Sequence, residues 1–236
     1  MDADLNIQLE EGNYYEKLAN RIIQNFTRKG INACFANNIK QACSMVMKMI
    51  PEGAVVGTAD SMTLLQVGVF SALRKRGKNE VLNPFVRDDD GKLVFSGDER
   101  QELMRRVLLS DVYIIGTNAV TMDGKLVNID AHGNRVAPMI FGPRKVIVVV
   151  GANKIVKNVD EAINRIKGVC APINATRHGL KHHRPDFLEL PCAKTGTCVD
   201  CNHSWRICRY TTIIEGANPP RKDCFHVVIV GERLGI

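Results

Sequence analysis

The chain has 236 residues, 45% of them hydrophobic and 24% charged, with a formal net charge of +7 and a pI near 9.0. This balance fits one large globular domain with a sizeable core and excludes a low-complexity or disordered chain. Aromatic residues are only 6% and the basic residues are scattered rather than striped, so the charge does not describe a nucleic-acid surface.

The positive charge suits an anionic ligand, an acidic partner, a thiolate-bound metal or a solvated basic face. The longest apolar runs, such as Val146–Val150, are too short to cross a bilayer. The N-terminal MDADLNIQLEEG is polar and acidic, which predicts no secretory leader and a cytoplasmic protein.

Residues 1–53 read as a helix-and-strand lead-in. Tyr14, Leu18, Ile22 and Phe26 recur at helical spacing and predict a helix over Asn13–Lys29, stopped by Gly30. A short strand at Ile31–Ala36 and a second amphipathic helix at Asn38–Met49 follow. Cys34 and Cys43 lie on their apolar faces and read as core. Ala54–Gly57 is a buried strand, and Thr58–Ser61 turns into a helix carrying Ser61 and Thr63. Free N–H groups at such a helix start favour an anion, while the competing reading is an N-cap by Asp60 or Ser61. Glu80–Phe85 reads as a strand, the VRDDDGK run as a solvated turn, and Gly97–Leu109 as a helix capped by Ser96 or Asp98. Asp111–Thr117 is a buried strand.

Directly after that strand comes a stretch crowded with Asn, Asp and Gly. Open α/β sheets place their ligand sites at the carboxyl ends of strands. Asn118, Asp123, Asn128, Asp130, Asn134 and Arg135 there offer amide, carboxylate and guanidinium groups. Surface turns share this composition, so each residue has a backbone-shaping reading beside the functional one. Lys125–Ile129 reads as a strand following the Met122-Asp123-Gly124 turn. Arg144–Val150 is the most strand-like run, and Lys154 in the turn beyond it is placed to meet an anion. A helix over Val159–Lys167 follows. Strands alternating with helices predict a mostly parallel, doubly wound α/β sheet.

From residue 171 the periodicity fades. Segment 171–210 reads as a cysteine-rich insertion near the C-terminus, held by ligand bonds in place of an apolar core. Cys192, Cys198, Cys201 and Cys208 stand at C-x5-C-x2-C-x6-C spacing, with His178, His182, His183 and His203 close by. In a chain without a secretory leader, disulfides rank behind metal use. Four thiolates suit an iron–sulfur cluster or zinc. A single C-x2-C pair, where structural zinc sites usually have two, favours a cluster over zinc, and 4Fe–4S is the type expected. Lys194, Arg206 and Arg209 would offset its negative charge. Strands within Tyr210–Gly216 and Cys224–Glu232 close the chain, and Cys224, outside the spacing, reads as structural.

From about Val56 onward, GTADSMTL, DVYIIGTNAVTMDGKLVNIDAHGNRVAP, FGPRKVIVVVGANKIV, APINATRH, PCAKTGTCVDCNHSWRIC and VIVGERLGI resemble the lactate-utilisation (LUD) domain family, in its cysteine-containing branch. The resemblance implies the fold of sugar-phosphate isomerases and CoA transferases. It also implies that Ser61, Thr63, Asn118, Asn128, Asp130, Asn134 and Arg135 line a ligand cleft. By the same resemblance the chain is expected to be an iron–sulfur-bearing component linked to L-lactate, or 2-hydroxyacid, oxidation. It would take a small anionic metabolite and pass electrons to iron–sulfur or oxidoreductase partner subunits, with a homo-oligomer allowed and no nucleic acid or membrane partner. Two other readings stand beside this one. The first is an isomerase- or transferase-like enzyme acting on a sugar phosphate or acyl-CoA through Asp123 or Asp130, its metal site a staple. The second is a non-catalytic redox or binding module.

Overall fold

The computed structural model describes residues 7–236, so residues 1–6, on which the reading of no secretory leader partly rests, lie outside the described residues. The chain runs α1 (Gln8–Arg28), β1 (Asn32–Ala36), α2 (Ile39–Met49), β2 (Val56–Thr58), α3 (Met62–Val67), α4 (Val69–Arg76), β3 (Val81–Leu82), α5 (Gly97–Val107), β4 (Val112–Gly116) and β5 (Ala119–Thr121). It continues through β6 (Leu126–Asp130), α6 (Ala137–Ile140), β7 (Lys145–Gly151), β8 (Ile155–Val156), α7 (Val159–Arg165), α8 (Ala171–Lys181), α9 (Pro191–Thr195), β9 (Tyr210–Ile214) and β10 (Phe225–Val230).

Six strands form one parallel sheet in the order β1-β10-β7-β4-β2-β3. Successive side chains of a strand point to opposite faces, and here both faces are apolar. Tyr113, Ile115, Val146, Val148, Val227 and Ile229 pack with Ala19, Ile22 and Phe26 of α1 and Val107 of α5. Val112, Ile114, Ile147, Val149, Val228 and Val230 pack on the other side with Ala42 and Val46 of α2 and with Leu64 and Leu73 of α3 and α4. Helices on both faces are what an all-parallel sheet requires, so the predicted doubly wound α/β architecture is the one that forms. Ile22 and Phe26 are fully buried, and each contributes about 2–3 kcal/mol by its transfer from water.

A second sheet, β8-β5-β6-β9, stands beside the first. Strands β5 and β6 form a hairpin, β9 adds antiparallel to β6, and β8 adds parallel to β5. Ala119, Val127 and Ile129 of this sheet pack against Ala162, Ile166 and Cys170. The turn glycine Gly124 has φ +77°, and a Cβ there would lie 3.0 Å from the backbone nitrogen of Phe26. Glycine is therefore needed both for the turn and for the close approach of α1.

Several boundaries differ from the sequence reading. The strand predicted at Glu80–Phe85 is only Val81–Leu82. Pro84 removes a ladder donor, and the Asn83 side chain accepts from the Phe85 amide to form a local turn. The larger difference is at 171–181, predicted to lack regular structure. Instead α7 runs through a π-turn at Ile166–Cys170 directly into α8. Pro172 has no N–H to give an α-helical ladder, but it falls at the start of α8, where the π-turn already interrupts the i→i−4 pattern. Downstream of α8 only short turns and α9 precede β9.

The cap of α5 falls to Ser96. Its hydroxyl accepts from the Glu99 amide while the Glu99 carboxylate accepts from the Ser96 amide, a reciprocal capping box. Ser96→Ala is expected to lower stability by about 1 kcal/mol in a denaturant titration, and Asp98→Ala by much less. Among the described residues no helix is long and apolar enough to cross a membrane.

Candidate functional site: a cationic cleft beside a four-cysteine loop

Strands β2, β4 and β7 end on the same side of the parallel sheet. Beyond their carboxyl ends opens a cleft of about 1150 Å³. Its floor is made of Ala59–Thr63 after β2, Gly116–Asn118 after β4, Lys154 after β7, and Gly235 and Ile236 after β10. One wall is a single stripe of the long bent helix: Ile166, Cys170, Asn174, Arg177, His178 and His182. Ile166, Cys170, Asn174, His178 and His182 recur at four-residue steps, close to the spacing of one helical face, with Arg177 beside His178. The far wall is the 204–210 segment, which includes Cys208, the last of the four spaced cysteines.

Of the residues singled out in the sequence, Ser61, Thr63, Asn118, Asp130, Asn134, Arg135 and Lys154 line this cleft. Asn128 is fully buried behind the wall. Its Oδ1 accepts from Thr117 Oγ1 (3.2 Å), the Asn118 amide (3.1 Å) and Arg135 Nη1 (2.8 Å). Arg135 Nη2 donates to Asn118 Oδ1 (2.7 Å) and to the carbonyl of Ile129 (2.9 Å). The Asp130 carboxylate accepts from the amides of Ala131, Arg135 and Val136. This network braces the β5–β6 hairpin against β4, and it commits much of the polar capacity of these residues to shaping the wall. Asp123 is not among the lining residues. It is half exposed and pairs with Lys29 and Lys125, a surface position unsuited to acid–base work in the cleft.

Ser61 caps α3 by accepting from the Leu64 amide (3.4 Å), so the N-cap alternative is realised by Ser61. Asp60 does something else. Its carboxylate takes a two-pronged ion pair from Arg177 of α8, at 2.9 and 3.2 Å. Burial pushes the Asp60 carboxyl up, but the hydrogen bonds and charge of Arg177 outweigh that and hold it below the usual range.

The cleft wall carries ten Arg and Lys side chains against two carboxylates, both of which already have partners. The remaining field therefore suits an anion. Lys154 is the deepest cation, only 4% exposed. Its Nζ donates to Thr63 Oγ1 (3.0 Å) and to the carbonyl of Thr117 (3.2 Å). Burial, followed by the positive charges of Arg165 and Arg135, pushes its pKa down to about 7.

Sequence reading did not foresee the histidine pair. His178 on α8 and His182 at its C-cap stand one helical turn apart, with their Nδ1 atoms 2.9 Å from each other, and His178 stacks on Phe187. The i, i+4 spacing is the available signal, and it has meaning only where the segment is helical. Each imidazole is pushed down to about 4, first by burial and then by Arg177 and Arg87, partly opposed by Asp60. A folded-state pKa below the unfolded value means that unfolding takes up protons. Stability is then full above about pH 6.5 and falls as pH drops through that value toward about 4. The unfolding midpoint is expected to decline over this window in the parent chain and to flatten in His178→Gln/His182→Gln.

The four spaced cysteines, Cys192, Cys198, Cys201 and Cys208, line one small cavity together with Arg206 and Leu190. Among the described residues no three His, Cys, Asp or Glu side chains are already gathered as ligands of a single ion. The loop nevertheless has the chemistry of a thiolate site. Asp200, at φ +47°, bends the C-x2-C turn so that its amide donates to Cys198 Sγ (3.4 Å). Arg206 donates to the carbonyls of Cys201 (2.5 Å) and Cys208 (2.8 Å) and pairs with Asp200 (2.7 Å). The Cys208 thiol is pushed up to about 11 by burial and then by Cys198, with Cys192 adding to the effect. Clustered thiols resist ionising unless a cation draws them together. Residues 192–208 therefore offer the donor types of a metal or iron–sulfur centre without the gathered geometry of one. His203 is partly exposed, and its Nδ1 accepts from the Trp205 amide. Lys194 pairs with Glu189, away from the thiols. Cys34 and Cys43 are partly buried against the α2 side of the core, and Cys224 is buried in the opposite half.

Comparison with known proteins bears on the whole arrangement. A DUF162 family protein from Deinococcus radiodurans superposes with a TM-score of 0.50 at 14% identity, covering 92% of this chain and 98% of that one. eIF2B delta from Chaetomium thermophilum (TM-score 0.31, 18% identity, 52% of each chain) and the translation initiation factor eIF-2B of Pyrococcus horikoshii OT3 (TM-score 0.33, 15% identity, 50% of this chain and 48% of that one) match over about half of each chain. No curated protein matches the chain. The model of the LUD domain matches residues 19–230, from within α1 to the end of β10. The chain belongs to the LUD domain family.

Proposed function

We propose that this LUD-domain protein is an iron–sulfur-bearing component of lactate, or more generally 2-hydroxyacid, oxidation, with the cationic cleft as its metabolite site. One observation carries the reading. Cys208 and Arg206 line both the cysteine cavity and the large cleft, so the thiolate loop and the metabolite site share a wall. Cys192, Cys198, Cys201 and Cys208 would hold a 4Fe–4S cluster. When bound, such a cluster supplies a one-electron carrier whose potential responds to nearby charge and hydrogen bonds.

The chain's own residues supply the rest. Ser61, Thr63, Asn118 and Lys154 offer hydroxyl, amide and ammonium donors at the floor for a carboxylate. Arg135 and Asp130 keep the β5–β6 hairpin in place, and Arg206 ties the carbonyls on both sides of the loop. Asp130 is a poor candidate for an acid–base group, because its oxygens are committed to three backbone amides. This weighs against the isomerase-like alternative.

The test is paramagnetic resonance on anaerobically prepared, reduced protein. Saturating pyruvate or L-lactate is expected to shift the cluster signal, because the ligand lies across a shared wall from Cys208. A strong cluster signal that neither acid perturbs would contradict the reading.

A further inference from the structure

Buried lysines that serve only as structural cations pair with carboxylates, because an unpaired buried charge is costly. Lys154 departs from this. It is 4% exposed, yet both partners of its Nζ are neutral: the Thr63 hydroxyl and the Thr117 carbonyl. The two side-chain carboxylates lining the cleft are bound elsewhere, Asp60 to Arg177 and Asp130 to backbone amides. The charged groups facing the amine are Arg165 on α7 and Arg135 after β6, with the Cys170 thiol of the π-turn also near.

The amine is buried but not cut off from the cleft. Lys154 lines the cleft at the carboxyl ends of the central strands. Gly235 passes beside it at φ +65°, and a Cβ at that position would fall 2.8 Å from Nζ and 2.5 Å from Thr63 Oγ1. Gly235 therefore packs closely on one side of the amine, and a side chain there would collide with it. A protonated amine has three N–H donors, and two are taken, so one position remains for a ligand.

We infer that Lys154 is a reactive amine that condenses with the carbonyl carbon of a 2-oxo acid seated in the cleft. This rests on the reading of the cleft as a carboxylate site, and a 2-oxo acid is what a 2-hydroxyacid becomes on losing two electrons and two protons. The neutral amine adds to the carbonyl to give a carbinolamine. Water then leaves, carrying the former carbonyl oxygen and the two protons given up by Nζ, and a C=N bond forms. Atoms and charge balance without any oxidant. Desolvation and neighbouring cations are the two means by which proteins make a lysine nucleophilic near neutral pH, and both act here. Ser61 and Asn118 are placed to receive the acid's carboxylate.

The experiment is reductive trapping. The full-length protein is incubated with pyruvate and sodium cyanoborohydride, digested and mapped by mass spectrometry, while pyruvate binding is measured separately by calorimetry. The expected result is one reduced adduct per chain on the peptide holding Lys154, with a yield that rises as pH passes through about 7. Lys154→Arg keeps the charge but cannot form the imine, and its yield is expected to fall at least about tenfold. Mapping the parent protein identifies the lysine even if that variant folds poorly. Pyruvate that binds without forming an adduct, or adducts spread over surface lysines, would overturn the inference and leave the carboxylate reading intact. Absence of binding as well as adduct would overturn both.

Discussion

Cys198→Ser/Cys201→Ser, purified without oxygen, is expected to retain less than about a tenth of the parent's iron, since two of four ligands are gone. The same substitution is expected to open the segment around residues 182–209 to protease. That segment has little core of its own: only Ala175, Phe187 and Leu190 are buried in its cluster, with Cys192, Cys201 and Ile207 packed partly against them. Its other ties are aromatic and ionic. Phe187 lies between His178 and Trp205, and the Arg184 guanidinium sits 5.5 Å and 5.0 Å from the Phe187 and Trp205 rings. Ligand bonds are what convert such a loop into ordered structure. The parallel sheet has separate apolar contacts on both faces, so its main unfolding transition should move little while the loop frays. Cys34→Ser/Cys43→Ser, as the control, should keep full iron. Full iron in the loop variant, or none in the parent, would count against a cysteine-held cluster.

The second large effect concerns Arg135. Its guanidinium makes three hydrogen bonds of 2.7–2.9 Å, to Asn118 Oδ1, Asn128 Oδ1 and the Ile129 carbonyl. The backbone carbonyl of Arg135 accepts from the hydroxyl of fully buried Tyr113 (3.0 Å). Arg135→Ala would remove a charged donor and leave the Ile129 carbonyl and both amide oxygens short of a partner. Each buried group left without any partner costs about 1–3 kcal/mol, although Asn128 Oδ1 keeps two other donors and Asn118 Oδ1 keeps the Ile129 amide. A total loss of about 2–4 kcal/mol is expected in urea unfolding. Arg135→Lys should recover only part of it, because an ammonium cannot span two amide oxygens as a planar fork. Carboxylate binding in the cleft should weaken in both variants as the β5–β6 hairpin shifts. A loss below about 0.5 kcal/mol would place Arg135 outside the structural network.

Much of the sheet was legible because burial on both faces leaves continuous apolar runs. Asp111–Thr117 and Arg144–Val150 need no partner to be recognised as strands, and they form the central β4 and β7. What failed was local punctuation. Pro84 cut a strand short, and Pro172 concealed a helix that a π-turn carries past it. The polar residues of the hairpin were also legible as a group, but their division of labour was not. Asn128 reads in sequence like Asn118 or Asn134, and only the fold shows that it is buried while the other two line the cleft. The Asp60–Arg177 pair joins residues 117 apart. No spacing rule can anticipate that, because it arises from α8 crossing over the end of β2. The cysteine spacing was visible from the start. Its shared wall with the cleft depends on where the chain turns after α9, which is a tertiary fact.

The most direct measurement is iron, zinc and acid-labile sulfide analysis of the full-length protein, freshly purified without air. Close to four irons and four sulfides per chain, to order of magnitude, with zinc at trace level, is the expected result. One zinc per chain, without iron or sulfide, would contradict an electron-carrying role for the four-cysteine loop and leave it as a staple beside the cleft.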